Sequence, residues 1–178
     1  GGIVYVPSGT YFLGNNVSYT LSTSNITILG EGKGSSIFLF TGVATASFGF
    51  IIAVGAANCC LQQLGITFTG STTGGLLPGG TNTTIFNVRV SVTNGATYTG
   101  YPLCLGNLVG ASSNVKVIAS DFIGGNNTYS ACYIAVPSNV TLTKASIQSC
   151  YFETSAATNG AAVKLLNNST TTDGDITF

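Results

Sequence analysis

Ser138-Asn-Val-Thr-Leu-Thr-Lys-Ala-Ser-Ile-Gln-Ser-Cys-Tyr-Phe152 opens on an Asn, runs through apolar residues at alternate places, and closes a second short apolar strand on an aromatic. Its opening, Asn139-Val-Thr-Leu142, recurs at Asn25-Ile-Thr-Ile28, Asn58-Cys-Cys-Leu61, Asn87-Val-Arg-Val90 and Asn114-Val-Lys-Val117. The strand-ending positions read as Leu13, Phe40, Phe68, Val92, Phe122, Phe152 and Phe178, spaced 24 to 30 residues apart, and Phe40-Thr-Gly42 is identical to Phe68-Thr-Gly70. A repeat of this length is one turn of a solenoid, whose units bury their apolar faces only against their neighbours.

Composition narrows the class. The chain has 178 residues, no net charge and only 6% charged side chains, the reverse of a disordered sequence. Five Lys plus Arg are too few for a nucleic-acid footprint, so no nucleic-acid partner is expected. The longest apolar stretch, 48–57, contains two Gly and falls short of the roughly 18 residues of a membrane helix, so no membrane span is expected. Thr, Val, Ile, Tyr and Phe abound, with 24 Gly for turns, which favours strands. The chain starts at Gly1 without a signal peptide and ends on Phe178 inside an apparent strand. We therefore expect one β-helix domain over 1–178, belonging to a longer or processed chain. Five Cys without zinc spacing, and no His, argue against a metal or cofactor.

In chain order, Val4 and Val6 alternate with Tyr5, residues 7–9 turn, and 11–13 resume a strand; 24–40 repeat the plan with a Gly-rich corner. Further strands are expected over 47–54, 58–61, 64–69, 84–92, 103–109, 114–118, 121–123, 132–136, 139–142 and 147–152. Residues 70–84, 94–100 and 126–130 read as loops, and 161–166 with 175–178 begin another rung. About six rungs at about 4.8 Å each give a body roughly 30 Å tall. Alternation turns Val88, Val90, Val92, Val115 and Val117 inward and Arg89, Ser91 and Lys116 outward. It also assigns Ile26, Ile28, Leu61, Phe68, Phe122, Ile134, Val136, Val140, Leu142 and Phe152 to the core.

Residues 1–11 and 24–40 resemble the opening of many members of the pectate-lyase-like superfamily, Gly-Gly-x-Val-x-x-Pro-x-Gly-Thr-Tyr followed by Ser-Asn-Val-x-Leu-x-Gly-x-Gly and a strand. The likeness covers about the first 40 residues; later rungs share only the period. It implies an all-β, right-handed parallel β-helix. It does not select an activity, because lyases, hydrolases, tailspikes, adhesins and inert surface proteins share that fold.

Enzymes of this fold work with carboxylates, and this chain has five: Glu31, Asp121, Glu153, Asp173 and Asp175. Aligning Phe122 with Phe152 puts Asp121 and Glu153 on adjacent rungs, two positions out of register. They read either as a glycosidase-like pair or as two surface acids at a corner. Glu31, in Gly-Glu-Gly, reads as structural. Arg89 and Lys116, with Lys144, form either a cationic row for acidic glycans or a solvated polar face. Asn87, Asn114 and Asn139 are the candidates for a buried Asn ladder at one corner. Seven Asn-x-Ser/Thr sequons occur where chance gives about four. Asn16, Asn82, Asn126, Asn167 and Asn168 fall in expected loops and are the better glycan acceptors, while Asn25 and Asn139 open strands. Cys104 and Cys132 lie one period apart and could form a disulfide, or be buried thiols.

Three functions remain. The first is an extracellular structural or adhesive protein: a filament subunit, surface fibre, adhesin or virion spike that self-associates, or joins further chain, at open β-helix ends. The second is a pectate-lyase- or polygalacturonase-type enzyme, for which catalytic acids and bases are nearly missing. The third is a glycan-binding module using Tyr98, Tyr101 and Tyr129.

Overall fold

The computed structural model describes residues 1–15, 18–41, 49–70, 75–94, 101–106, 110–125, 130–136, 140–155, 161–167 and 176–178. Among them there are strands and no helix. The first sheet holds β1 (Gly2–Val6), β4 (Ile26–Gly30), β7 (Cys60–Gln62), β10 (Thr84–Phe86), β13 (Gly110–Ile118), β16 (Val140–Gln148) and β19 (Ile176–Thr177). The second holds β2 (Gly9–Asn15), β5 (Ser36–Thr41), β8 (Gly65–Gly70), β11 (Arg89–Asn94), β14 (Asp121–Gly124) and β17 (Tyr151–Thr154). The third holds β3 (Tyr19–Leu21), β6 (Phe50–Ile52), β9 (Leu76–Pro78), β12 (Leu103–Leu105), β15 (Ser130–Val136) and β18 (Ala161–Asn167). Each triplet from β1–β2–β3 to β16–β17–β18 makes one circuit, and β19 returns to the first sheet. Every pairing is parallel, because a whole circuit separates each strand from its partner. The chain is a parallel β-solenoid.

The core is three inward stacks. Ile28, Leu61, Ile85, Val117 and Ile147 lie in register in the first sheet. Ile66, Val90, Phe122 and Phe152 do so in the second, and Leu76, Leu103, Cys132 and Val163 in the third. Like side chains stack on like: Phe40 lies on Phe68 with centroids 4.9 Å apart, and Phe122 on Phe152 at 5.4 Å, offset-stacking distances that add to simple burial. Val88, Val90, Val92, Val115 and Val117 are buried while Arg89 and Lys116 are exposed. Ile26 and Phe152 pack against the core half-buried. The side chains of Val136 and Val140 lie outside the described part.

Three register expectations need correction. Val92 lies opposite Phe68, but Phe122 lies opposite Val90, a two-residue slip that keeps the same face inward. Leu13 falls at an irregularity between Phe12 and Gly14. Phe178 follows β19 in the first sheet, so it is not the counterpart of Phe152 in the second. Residues 70–84 also differ from the expected loop. They contain β9, whose Leu76-Leu77-Pro78 is buried throughout, as is Leu103-Cys104-Leu105 of β12. Leu77 and Cys104 face away from the main core yet are fully buried. Strands covered on both faces lose their alternation, which hid β9 from a reading based on alternate residues.

Candidate functional site

The first arrangement of polar groups is a row of Asn at the entrance to the first sheet. Asn58 Nδ2 donates to Asn25 Oδ1 at 2.9 Å, Asn82 Nδ2 to Asn58 Oδ1 at 3.0 Å, and Asn114 Nδ2 to Asn82 Oδ1 at 2.8 Å. All four have left-handed backbone, φ 52–61° being the range of the Asn corner residues as a group, which Asn tolerates better than other side chains with a Cβ. The backbone repeats in step: Asn25 N–H donates to Ala57 O, Asn58 N–H to Thr81 O, and Asn82 N–H to Ser113 O. The row lies on the surface, with Asn25, Asn58 and Asn82 exposed and Asn114 half-buried, not inside the coil as expected.

Of the three residues expected in the ladder, Asn114 is in it. Asn87 sits at a second left-handed corner, five residues beyond Asn82, in line with Gln63, Ala119 and Ser149. Asn139 lies outside the described residues, and the position facing Asn114 on the next circuit is that of Lys144, itself left-handed. The misreading has a simple source. Asn87-Val-Arg-Val90 and Asn114-Val-Lys-Val117 have the same pattern, but one enters the second sheet and the other the first. Arg89 therefore faces Asp121, and Lys116 faces Thr84 and Ser146, so no row of cations joins Arg89 to Lys116. Asn82 was missed because Thr83 stands where its counterparts carry an apolar residue; Thr83 is nevertheless buried and donates to Gly79 O at 2.6 Å.

The second arrangement is ionic, on the outer side of the second sheet. Asp121 Oδ2 accepts from Arg89 Nη2 at 2.9 Å and lies 2.8 Å from Lys33 Nζ. Partial burial alone would raise the Asp121 pKa, but hydrogen bonds and charge from Lys33 and Arg89 outweigh it and hold the carboxyl below the usual value. Glu153 faces Ile123 and accepts from Tyr151 Oη at 2.9 Å. Asp121 is thus a braced anion, and a group held ionised has no proton to give as a general acid. On the first circuits, the Glu31 carboxylate accepts from Tyr5 Oη, Ser8 Oγ and the Ser8 N–H. These bonds, Ser8 first, draw the Glu31 pKa down. Nothing in the local sequence pairs Lys33 with Asp121; only the coil brings them together.

Cys104 faces Tyr133 and Cys132 faces Leu103, so successive strand positions turn the two thiols to opposite faces and they form no disulfide. Burial pushes the Cys132 thiol pKa up. Tyr101 stacks on Tyr133 at 4.3 Å and Lys164 lies over the Tyr133 ring at 5.8 Å, so Tyr133 has both faces engaged; Tyr98 and Tyr129 lie outside the described residues. So do Asn16, Asn126 and Asn168, while Asn167 ends β18. Asn82 is exposed in the bend between β9 and β10, and its side-chain amide is committed to the ladder. Among the described residues no group of three His, Cys, Asp or Glu could hold a metal, and no helix is long and apolar enough to cross a membrane. A scan against protein-family models finds no match, and neither do searches of the curated proteins and of the solved structures.

Proposed function

We propose that the chain is a rigid structural segment of an extracellular surface fibre, in the manner of a filament subunit, adhesin stalk or virion spike, extended by further parallel β-helix at its ends. The observation that carries this reading is where apolar surface is exposed. Of nine large apolar side chains exposed among the described residues, five lie on the first circuit, two on the sixth, and one, Phe178, beyond β19. Phe86 alone lies between. Val4 at one end and Leu165 at the other belong to inward rows, yet they are 51% and 60% exposed. Beside the first circuit, an apolar cavity of about 200 Å³ is lined by Leu13, Tyr19, Leu21, Ile28, Phe38 and Phe50. Open strand edges and exposed apolar rows are what a further parallel coil of the same cross-section would cover. Head-to-tail contacts of this kind extend into filaments. The resemblance of residues 1–11 and 24–40 to the pectate-lyase-like superfamily fits the same reading, with Asn16, Asn126, Asn167 and Asn168 as candidate glycan carriers.

Electron microscopy and size-exclusion chromatography of the purified chain, beside a polysaccharide-cleavage screen, test this. The expected result is concentration-dependent rods with an axial repeat of about 30 Å. A stable monomer that degrades a uronate polymer would overturn the proposal in favour of an enzyme. Glycopeptide mass spectrometry of native material should find glycans at these four sequons; unmodified peptides at all of them would remove the glycoprotein part.

A further inference from the structure

In a solenoid each circuit touches only its neighbours, so the coil is expected to open in nearest-neighbour steps. Residues 31–35 depart from that rule. They leave the second circuit after β4 and make contacts with circuits on both sides. Backward, Glu31 is held by Tyr5 and by Ser8 of the first circuit, and Ser35 O accepts the Gly9 N–H at 2.8 Å. Over the third circuit, Gly32 N–H donates to Gln63 O at 2.8 Å. There the Lys33 carbonyl oxygen sits only 2.7 Å from where a Cβ on Gly65 would be. Any side chain at position 65 would displace the backbone of the loop, so Gly65 makes room for it. Forward, Lys33 Nζ reaches Asp121 on the fifth circuit, at the same oxygen that Arg89 of the fourth circuit holds. The Lys33 and Asp121 side chains are mostly covered, 28% and 15% exposed.

We propose that residues 31–35 are an ionic strap that makes the first five circuits open as one unit and leaves the sixth to open separately. The contact between Lys33 and Asp121 spans 88 positions of sequence and passes over two intervening circuits, so breaking either end uncouples circuits that share no strand pairing. The strap concerns how the coil opens and holds whether or not the chain forms fibres.

Native-state hydrogen exchange on the whole chain tests it. In the unmodified protein, β5 and β14 amides should exchange through a common opening. Lys33→Met keeps most of the alkyl stem and removes the charge. The β14 amides should then exchange about fivefold faster relative to those of β5, the upper size of a surface ion pair that solvent still reaches. About 1 M salt, where charges are screened within about 3 Å, should move the unmodified protein towards the same divergence and leave the variant unchanged. In an Asp121→Asn background, Lys33→Met should add nothing. The strap is wrong if β5 and β14 open independently from the start, or if Lys33→Met leaves their relative rates unchanged. Should Asp121→Asn fail to fold, Lys33→Met and the salt series still decide.

Discussion

Two corners flank the first sheet, five residues apart on the third to sixth circuits, and they share one backbone but not one chemistry. Asn58 and Gln63, Asn82 and Asn87, Asn114 and Ala119, and Lys144 and Ser149 are the successive pairs, and all are left-handed. At both corners the residue's N–H donates to a carbonyl of the next circuit. At the first corner three amide bonds run in line from Asn114 to Asn25. At the second, among the described residues, no side-chain hydrogen bond joins Gln63, Asn87 and Ala119 to one another. Gln63 is a methylene longer than Asn, and Ala119 has no amide. On these four circuits the coil places a left-handed residue at each corner; a ladder needs, in addition, the same short amide on consecutive circuits. A left-handed residue other than Gly costs roughly 1–2 kcal/mol, and a net hydrogen bond returns about 0.5–1.5 kcal/mol.

That difference can be broken at its centre. Asn82→Ala removes two amide bonds and leaves Ala in a left-handed site, so urea unfolding should show a loss of about 2 kcal/mol. Asn87→Ala, at the same kind of backbone site without the ladder, should lose only about 1 kcal/mol. Equal losses would mean that the amide row contributes nothing. The row can also be lengthened: Lys144→Asn places an amide opposite Asn114 and should gain about 1 kcal/mol in the same measurement. At the second corner Ala119→Gly should raise stability by about 0.5 kcal/mol, because relief of the left-handed strain exceeds the extra freedom of Gly in the unfolded chain.

On the first circuits the second corner is replaced by the loop at Glu31, and its contribution should depend on pH. Hydrogen bonds from Ser8 and Tyr5 hold the folded Glu31 pKa below 4.5. This stabilisation is therefore present above that value and lost as the pH falls through the lowered pKa. Tyr5, bonded to Glu31, has its pKa raised above 10.0, so its share is present below that value and lost as the pH rises through the raised one. Melting temperatures across the acid range should show the acid loss, and Glu31→Gln should flatten it.

The period of the repeat was legible because it follows from which residues are apolar. Alternation at Val88, Val90 and Val92, and at Val115 and Val117, already separates inside from outside, and stacked aromatics such as Phe122 and Phe152 stand out at one-period spacing. The corners were less legible. Asn87 and Asn114 begin the same four-residue pattern, and sequence alone cannot say which sheet each enters. The strand at Leu76 was hidden for a different reason, since burial on both faces removes the alternation that marks a strand.

By itself, then, the sequence determined the parallel coil, because burying apolar residues that recur at solenoid spacing, 24 to 33 positions along the row from Ile28 to Ile147, requires successive units to stack. Only the tertiary structure decided the contacts between circuits: that Asn82 rather than Asn87 carries the ladder, that Cys104 and Cys132 face opposite ways, and that Lys33 meets Asp121. A shift of two residues keeps every side chain on its face, so the hydrophobic pattern is blind to it, whereas hydrogen bonds and ion pairs depend on it completely.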